Sequence, residues 1–188
     1  MRERKEKPIS MMTDVKINAE ACINAEYKIN ANERIDDLCR DNLKLIQNTD
    51  VFCFGMDACF IVYICKSRKN DKVLDLGTGN GIIPILMQAK NPGGMYTGLE
   101  IQDISFNLAA RNVSLNNLSD HVNMVQGDIK EASRIFGGAS FNVVTSNPPY
   151  MNENHGIVNP ESAKAIARHE LLCSLEDVVR EASKCLKV

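Results

Sequence analysis

From Asp71 onward, short apolar runs alternate with segments of helical periodicity, and this alternation constrains the fold more than any other feature. Four runs have the length and composition of buried strands: Lys72–Leu76, Met95–Glu100, Val122–Gln126 and Phe141–Ser146. Helices are predicted between them, beginning near Gly81, beginning near Asp103 and covering about Ile129–Phe136. Successive strands joined by helices run parallel through right-handed crossovers. The pattern therefore predicts an α/β fold with a doubly wound parallel sheet.

Two helices show apolar faces in the sequence. The segment from Asp103 carries such residues at i, i+3, i+4 and i+7, namely Phe106, Ala109, Ala110 and Val113. A last helix is predicted after the N-cap Ser174, with Asp177 completing a variant of the capping box. Its predicted buried stripe is Leu175, Val178, Val179, Ala182 and Leu186. No strand follows this helix, so we expect the domain to lack its last strands, because the very apolar fourth strand would otherwise be an uncovered edge.

A glycine-rich turn follows the first predicted strand. Residues Asp75–Gly81 read D-x-G-x-G-x-G. Glycines allow a tight turn and a close approach of the backbone to a ligand, and ligands of such sheets bind beyond the carboxyl ends of the strands. A dinucleotide fingerprint requires G-x-G-x-x-G, but its third glycine, counted from Gly77, falls on Ile82. The spacing therefore argues against a nicotinamide dinucleotide.

Acidic residues stand at the ends of three successive strands. Asp75, before the first glycine, would repel a pyrophosphate but suits the ammonium of a methionine moiety. Glu100 can accept both hydroxyls of a ribose, and Asp128 can accept from the amino group of adenine. Each acid alone is weak evidence, since Asp at a strand end is often only a helix cap. Together they predict S-adenosyl-L-methionine, with the binding residues Asp75, Gly77, Thr78, Gly79, Glu100, Asp128, Ile129 and Asn147.

A second motif, Asn147-Pro148-Pro149-Tyr150, follows the fourth predicted strand. A planar amino group has a delocalised lone pair, and acceptors on both of its N–H bonds help the nitrogen to become pyramidal. The side-chain oxygen of Asn147 and the carbonyl of Pro148 can supply them, while Tyr150 offers a face for stacking. The prolines keep the loop extended. These four residues are the predicted catalytic ones and require no metal; a plain turn at a strand end is the alternative.

The two motifs resemble those of S-adenosylmethionine-dependent methyltransferases that modify planar amino groups. Flanking segments narrow the resemblance to bacterial enzymes that methylate N6 of an adenosine beside the anticodon of a valine tRNA: Arg34–Leu38, Lys44–Gln47, Phe52–Ala58, Gly98–Gln102 and Ala167–Glu170. The resemblance implies a Rossmann-like class I methyltransferase fold, a tRNA substrate, and Gly55 and Ile101 in the cofactor site. In that family the last helix runs into a Lys-Pro-Gly-Gly turn and further strands, whereas here Val188 follows Lys187.

Two other functions remain open at this point. A protein glutamine N5-methyltransferase uses the same N-P-P-Y chemistry on an amide, although Met151–His155 and Ala167–Glu170 disfavour it. A chain without its last strands is also compatible with a remnant that binds cofactor weakly and transfers no methyl group. Methyl transfer to tRNA is the preferred interpretation.

Composition limits the setting in which the protein acts. Its 188 residues fit one domain, and a net charge of −2 means that any RNA contact must come from a local patch. Seven cysteines without a C-x-x-C pair argue against zinc and disulfides. The apolar stretch Val51–Cys65 is too short to cross a membrane, and no signal core follows Met1–Lys7. We therefore expect a cytoplasmic protein, with its oligomeric state undetermined.

The first 33 residues differ from the rest of the chain. An Ile-Asn-Ala motif recurs every six residues, in Ile17–Glu20, Ile23–Glu26 and Ile29–Asn32. A spacing of six does not place the isoleucines on one helical face, and three copies are too few for a solenoid. We expect residues 1–33 to be a flexible or weakly helical extension and residues 34–188 to form an incomplete methyltransferase domain.

Overall fold

The computed structural model describes residues 29–51, 53–147 and 173–187. In these residues the chain forms the strands β1 (Glu33–Asp37), β2 (Lys44–Asn48), β3 (Lys72–Leu76), β4 (Met95–Glu100), β5 (Val122–Gln126) and β6 (Val143–Ser146). The helices are α1 (Met56–Ile64), α2 (Ile82–Lys90), α3 (Asp103–Leu115), α4 (Ala132–Phe136), preceded by a 3-10 turn (Ile129–Glu131), and α5 (Leu175–Cys185). The first two Ile-Asn-Ala repeats and the predicted catalytic residues Pro148, Pro149 and Tyr150 lie outside the described residues.

The main sheet confirms the predicted parallel α/β fold. Its four strands are parallel in the order β5-β4-β3-β6, with Leu76 level with Leu99 on one side and with Ser146 on the other. The chain moves outward from β3 through β4 to β5 and then returns to place β6 on the other side of β3. Strand order thus reverses at β3, and the crevice beyond the carboxyl ends of β3 and β6 is where open α/β sheets bind ligands.

The strands themselves follow the sequence closely. β3, β4 and β5 have the predicted bounds, but the fourth strand is shorter than predicted and begins at Val143. Phe141 instead forms an isolated parallel bridge with Leu186, accepting a hydrogen bond from the N–H of Lys187 and donating to the carbonyl of Cys185. The chain after α5 therefore occupies the place beside Phe141 that a strand neighbour would take.

Alternate residues of β3 face opposite sides of the sheet, as a strand requires. Val73 packs into a core with α1 and α2, whereas Leu74 and Leu76 pack into a second core with residues of α4 and α5. Asp75 has the same parity as Val73 and so points toward the side covered by α2. Its carboxyl group is consequently buried.

Helix α5 corrects one of the sequence predictions. Ser174 is its N-cap and forms the predicted capping box with Asp177. The predicted stripe is wrong in part, since Leu175 and Val179 are 58% and 60% exposed. Its buried residues are Val178, Glu181 and Cys185.

On α3 the predicted apolar face is also displaced. Phe106 and Ala110 are only half-buried. The buried residues of this helix are Ser105, Leu108, Ala109, Asn112 and Val113.

An antiparallel hairpin, β1–β2, precedes the main sheet and has no counterpart in the predicted elements. Ile35 pairs with Ile46, and the connecting turn uses left-handed backbone at Cys39, Asp41 and Asn42. The hairpin packs on α3 through β2. The sequence pattern does not indicate this hairpin, because β1 has no regular alternation of buried and exposed residues.

The remaining expectations concern membranes, metals and thiols. Within residues 29–51, 53–147 and 173–187, no helix is long and apolar enough to cross a membrane. The same residues contain no group of three or more His, Cys, Asp or Glu side chains placed to hold a metal ion. The cysteines they include are free thiols, namely Cys39, Cys53, Cys59, Cys65, Cys173 and Cys185.

Candidate functional site

The glycine-rich turn and the start of the N-P-P-Y motif lie at the same edge of the sheet. In the β3–β6 register, Asp75 is level with Thr145 and Leu76 with Ser146. Gly77 and Asn147 are therefore the first residues to leave two adjacent strands. The hydroxyl of Ser146 donates to the carbonyl of Leu76 at 2.8 Å, which holds the two strand ends together. The structure thus brings the glycine-rich turn and Asn147, the first residue of the second motif, to the same edge of the sheet beside the topological switch.

The glycine-rich turn is held to the end of β4 by its own backbone. The N–H groups of Gly77 and Thr78 both donate to the carbonyl of Leu99, at 2.9 and 3.0 Å. Gly79 has φ of +59°, a conformation that L residues rarely adopt. A side chain added at Gly79 would meet nothing within 4 Å, so this part of the turn faces open space. The turn therefore leaves room for a ligand to approach its backbone.

Asp75 is buried beneath this turn, with only 1% of its surface exposed. The hydroxyl of Thr145 donates to its Oδ1 at 2.8 Å, while its Oδ2 has no hydrogen-bond partner. Burial raises the pKa of Asp75 to about 7; the nearby hydroxyls of Thr78 and Thr145 lower it, and the charge of Glu100 raises it further. The Thr78 hydroxyl acts by proximity, because its Oγ1 lacks hydrogen-bond geometry to any group. The Oδ2 of Asp75 therefore remains able to accept a hydrogen bond from a ligand.

Glu100 closes the other side of the turn. Its Oε2 accepts from the N–H of Gly79 at 2.8 Å and its Oε1 from the N–H of Gln102 at 2.9 Å. Burial raises the pKa of Glu100, and these N–H groups together with that of Ile101 oppose the rise. Each carboxylate oxygen has more than one acceptor site, so these bonds leave capacity for ligand hydroxyls. The bond to Gly79 was not anticipated, and it shows that Glu100 also positions the turn.

Unpaired polar atoms are concentrated in the glycine-rich segment. Asp75 Oδ2, Thr78 Oγ1 and Asn80 Nδ2 are buried without a hydrogen-bond partner. In the rest of the described chain only Gln88 Oε1 and His121 Nδ1 share this condition. Leaving such a group unpaired costs about 1–3 kcal/mol. Donor and acceptor atoms left unpaired within one turn fit a ligand that carries both, as the amino acid portion of S-adenosyl-L-methionine does.

The other predicted cofactor residues border this turn or cap neighbouring elements. Asp128 is the N-cap of the 3-10 turn, where it accepts from the N–H of Lys130 at 2.9 Å, so the cap role considered for it is present. The Cδ1 of Ile129 lies 3.5 Å from the position of a Cβ on Gly77, which places this side chain against the turn. Ile101, next to Glu100, is partly exposed at the same edge. Gly55 is the N-cap of α1.

Thr145 is the residue that sequence reasoning missed. Its hydroxyl is the hydrogen-bond donor to Asp75, and it stands two residues before Asn147. It thereby links the strand that carries Asn147 to the carboxyl group beneath the turn. Strand pairing could have identified Thr145, because a parallel β3–β6 pair in the observed register places its hydroxyl opposite Asp75.

Fold comparison first defines the class of protein. The YcgJ protein of Bacillus subtilis superimposes with a TM-score of 0.51 and 20% identity over 69% of this chain and 45% of that protein. Geranyl diphosphate C-methyltransferase of Streptomyces coelicolor superimposes with a TM-score of 0.53 and 17% identity over 70% of this chain and 40% of that enzyme. At such identities the likeness concerns the fold alone. The fold is the Rossmann-like fold of class I methyltransferases, as predicted.

The chain belongs to the methyltransferase small domain family, whose model matches residues 42–169. It is 31% identical over 115 residues to a tRNA1(Val) (adenine(37)-N6)-methyltransferase of Porphyromonas gingivalis, covering 60% of this chain and 44% of that protein. It is 32% identical over 88 residues to a release factor glutamine methyltransferase of Chlorobaculum tepidum, covering 46% of this chain and 30% of that protein. The chain spans about half the length of the tRNA methyltransferases it matches. These matches confirm the resemblance drawn from the motifs.

Proposed function

We propose that this protein is an S-adenosyl-L-methionine-dependent methyltransferase that acts on the exocyclic N6 of an adenine in tRNA. The observation that carries the proposal is the common edge of β3 and β6, where Asp75 is level with Thr145 and the turn and Asn147 leave side by side. Family membership supports methyl transfer, and the relatives named as tRNA methyltransferases support the substrate. Such a substrate agrees with the expected cytoplasmic location.

The residues at the turn have separate roles in holding the cofactor. Asp75 Oδ2 would accept from the ammonium group, whose positive charge would favour the ionised carboxylate and lower the pKa of Asp75 on binding. Glu100 would accept from the ribose hydroxyls while it keeps Gly79 in place. Ile101 and Ile129 would hold the adenine portion, and Asp128 would accept from its amino group. When bound, S-adenosyl-L-methionine would supply a methyl group on a sulfonium, which makes that carbon electrophilic.

At the neighbouring strand end, Asn147 acts on the substrate. Its side-chain oxygen accepts from one N–H of the adenine amino group, and the carbonyl of Pro148 accepts from the other. The nitrogen lone pair is then less delocalised and more nucleophilic. Catalysis at such a site consists of positioning and hydrogen-bond polarisation. Because an adenine inside a stack is out of reach, the substrate is a loop or flipped nucleotide, which Tyr150 can hold by stacking.

A glutamine side chain of a protein is the second candidate substrate. The match to release factor glutamine methyltransferase has an identity of 32%, similar to the tRNA enzymes, although it covers only 46% of this chain. An amide nitrogen needs the same two acceptors as an adenine amino group. The longer coverage by tRNA methyltransferases, 60% to 74% of this chain, favours the adenine substrate.

A methyl-transfer assay with labelled S-adenosyl-L-methionine distinguishes the substrates. The protein is incubated with total tRNA from a strain that lacks N6-methyladenosine in tRNA and, separately, with an unmethylated release factor. We expect label only in tRNA, recovered as N6-methyladenosine after nuclease digestion. Label in the release factor, recovered as N5-methylglutamine, would establish the second candidate. No heat and no thermal shift with S-adenosyl-L-methionine would show that the chain is a non-catalytic remnant.

A further inference from the structure

Asn112 on α3 is a fully buried amide that joins two regions of the molecule. Its Oδ1 accepts from the N–H of Ile46 at 2.6 Å, and its Nδ2 donates to the carbonyl of Ile46 at 3.0 Å. The same Nδ2 also donates to the carbonyl of Asn80 at 3.0 Å. One side chain therefore connects strand β2 of the hairpin to the glycine-rich turn.

Asn116, one helical turn later, makes the same kind of contact with the hairpin. Its Oδ1 accepts from the N–H of Lys44 at 2.8 Å and its Nδ2 donates to the carbonyl of Lys44 at 2.7 Å. Lys44 and Ile46 are alternate residues of β2, so the two amides pair with this strand as a neighbouring strand would. The second donor of Asn116 remains within α3, on the carbonyl of Asn112. The two amides thus differ chiefly in whether they reach the turn.

We propose that Asn112 is a positioning residue for the cofactor site, which fixes the glycine-rich turn to α3 and so raises cofactor affinity. The inference rests on the proposed function, in which this turn holds S-adenosyl-L-methionine. Its content is that a side chain of α3 contributes to binding without touching the ligand.

The turn needs such support because three of its residues, Gly77, Gly79 and Gly81, have left-handed backbone. Glycines lose more backbone freedom on ordering than other residues do. A ligand that had to order an unsupported turn would therefore bind more weakly. The first half of the turn is fixed by Leu99 and the middle by Glu100. The second half of the turn is fixed by the hydrogen bond from Asn112 Nδ2 on α3 to the carbonyl of Asn80.

The hairpin also reaches the other predicted wall of the cofactor site. Gln47, next to Ile46 in β2, is buried, and its Oε1 accepts from the N–H of Phe54 at 3.2 Å. Phe54 precedes Gly55, a predicted cofactor residue at the start of α1. The backbone of Ile46 therefore pairs with Asn112, which bonds the turn, while the side chain of the next residue, Gln47, bonds the segment before α1.

The test compares Asn112→Ala with two matched variants of the full chain. Asn116→Ala removes the other amide that pairs with β2. Arg111→Met removes the two-pronged ion pair of Arg111 with the buried Glu33, at 2.7 and 3.0 Å, which also anchors the hairpin to α3. Both controls weaken the hairpin without touching the turn. Asn112→Ser replaces Asn112→Ala if the alanine variant does not fold, because a serine hydroxyl is too short to span both partners.

Two readouts are measured on each folded variant: calorimetric affinity for S-adenosylhomocysteine, and hydrogen exchange of the Gly79 and Gly81 amides in the ligand-free protein. We expect the Asn112 variant to lose about tenfold in affinity, the loss of one buried hydrogen bond. Its Gly79 and Gly81 amides should exchange faster. The two controls should melt at lower temperature yet bind and exchange at these amides as the wild type does.

Other outcomes overturn the inference. An Asn112 variant that binds and exchanges as the wild type does would refute it, as would affinity losses in all three variants that simply follow their losses of stability. If the wild type itself binds no S-adenosylhomocysteine, the proposed function fails. The exchange measurement then still decides whether Asn112 fixes the turn, since faster exchange confined to its variant supports the coupling and unchanged exchange refutes it.

Discussion

Two buried carboxyl groups show how differently this fold treats the same chemistry. Asp75 and Glu181 are each 1% exposed. Glu181 accepts from the Ser133 hydroxyl and from Lys184 Nζ, both at 2.7 Å, and these partners lower its pKa to about 2. Asp75 has a single hydroxyl donor, and its pKa rises to about 7. The carboxylate of Glu181 is therefore paired within the fold, whereas Asp75 keeps one oxygen without a hydrogen-bond partner.

The difference has a structural origin. Glu181 lies under the half-exposed cations Lys184 and Arg180, on a helix that packs against α4. Asp75 lies in a strand whose face is covered by apolar residues of α2. Glu181 is paired with cations of its own helix and with a hydroxyl of α4, whereas none of the groups that shift the pKa of Asp75 is a cation. The comparison shows that burial alone does not distinguish the two acids, whereas an unpaired buried oxygen does, and this oxygen is what makes Asp75 the candidate for ligand binding.

The largest expected effect is at Asn147, which shares the strand edge with Asp75. We expect Asn147→Ala to lower the rate of methyl transfer about 100- to 1,000-fold, because an acceptor on the reacting amine is lost. Although Asn147 is also among the predicted cofactor-binding residues, affinity for S-adenosylhomocysteine should stay within about twofold, because the turn that carries most of those residues is unchanged. Single-turnover transfer and calorimetry give the two quantities. A variant that loses binding but keeps its rate per bound cofactor would remove the proposed role.

Asp75→Asn tests the ligand half of the comparison. We expect cofactor affinity to fall about 10- to 100-fold, the loss of a charged hydrogen bond to the ammonium. The ligand-free variant should melt no lower than the wild type at pH 8, because a buried carboxylate without a cation is replaced by a neutral amide. Calorimetry and thermal melting at that pH measure both. A variant that is clearly less stable would mean that Asp75 has a structural role instead.

Glu181→Gln tests the structural half. The variant keeps the shape of the side chain but loses the charge that Lys184 and Arg180 face, so we expect the Tm to fall by about 3–6 °C. Cofactor affinity should be unchanged, because Glu181 lies against α4 and not at the glycine-rich turn. Thermal melting and a calorimetric titration with S-adenosylhomocysteine, on the same sample, measure the Tm and the affinity. Equal losses of stability for this variant and for Asp75→Asn would erase the distinction between the two carboxyl groups.

The same pair predicts a dependence of stability on pH. The pKa of Asp75 is raised from 3.8 to about 7, so between these values the folded protein holds a proton that the unfolded chain has released, and stability falls as pH rises. The pKa of Glu181 is lowered from 4.5 to about 2, so stability is lost as pH falls through that range. Urea denaturation from pH 2 to 8 should show the first slope reduced in Asp75→Asn and the second reduced in Glu181→Gln.

The smallest effect is expected for Thr145→Val, an isosteric change that removes the hydroxyl donor to Asp75. The pKa of Asp75 should rise further, because that hydroxyl lowers it. Affinity for S-adenosylhomocysteine should therefore fall a few-fold at pH 7, and the deficit should shrink at pH 9, where the carboxyl group is ionised. Ser146→Ala, which removes the neighbouring strand's bond to the Leu76 carbonyl, is the matched control. A deficit independent of pH would point to misplacement of the strand instead.

Local signals account for what the sequence predicted correctly. The bounds of β3, β4 and β5, the capping box at Ser174 and the glycine-rich turn each depend on a few adjacent residues. The common edge of the two motifs also followed, since parallel strands end together. The roles of Pro148–Tyr150 stay predictions, as does the division of the chain at residue 34.

Long-range pairing accounts for what the sequence did not reveal. The β1–β2 hairpin is bound by Asn112 and Asn116, which are 66 and 72 positions from their partners Ile46 and Lys44. The apolar stripe predicted on α5 is wrong in part, because Glu181, which accepts from Ser133 of α4, takes a buried position that no periodicity scale assigns to a glutamate. The protonation of Asp75 depends likewise on what covers it.

The unpaired atoms of the glycine-rich turn have a consequence for the stability of the folded chain. A ligand that pairs Asp75, Thr78 and Asn80 binds only the native chain and so protects it in proportion to the logarithm of its concentration. Each tenfold rise in the concentration of such a ligand above its Kd would add about 1.4 kcal/mol to the free energy of unfolding.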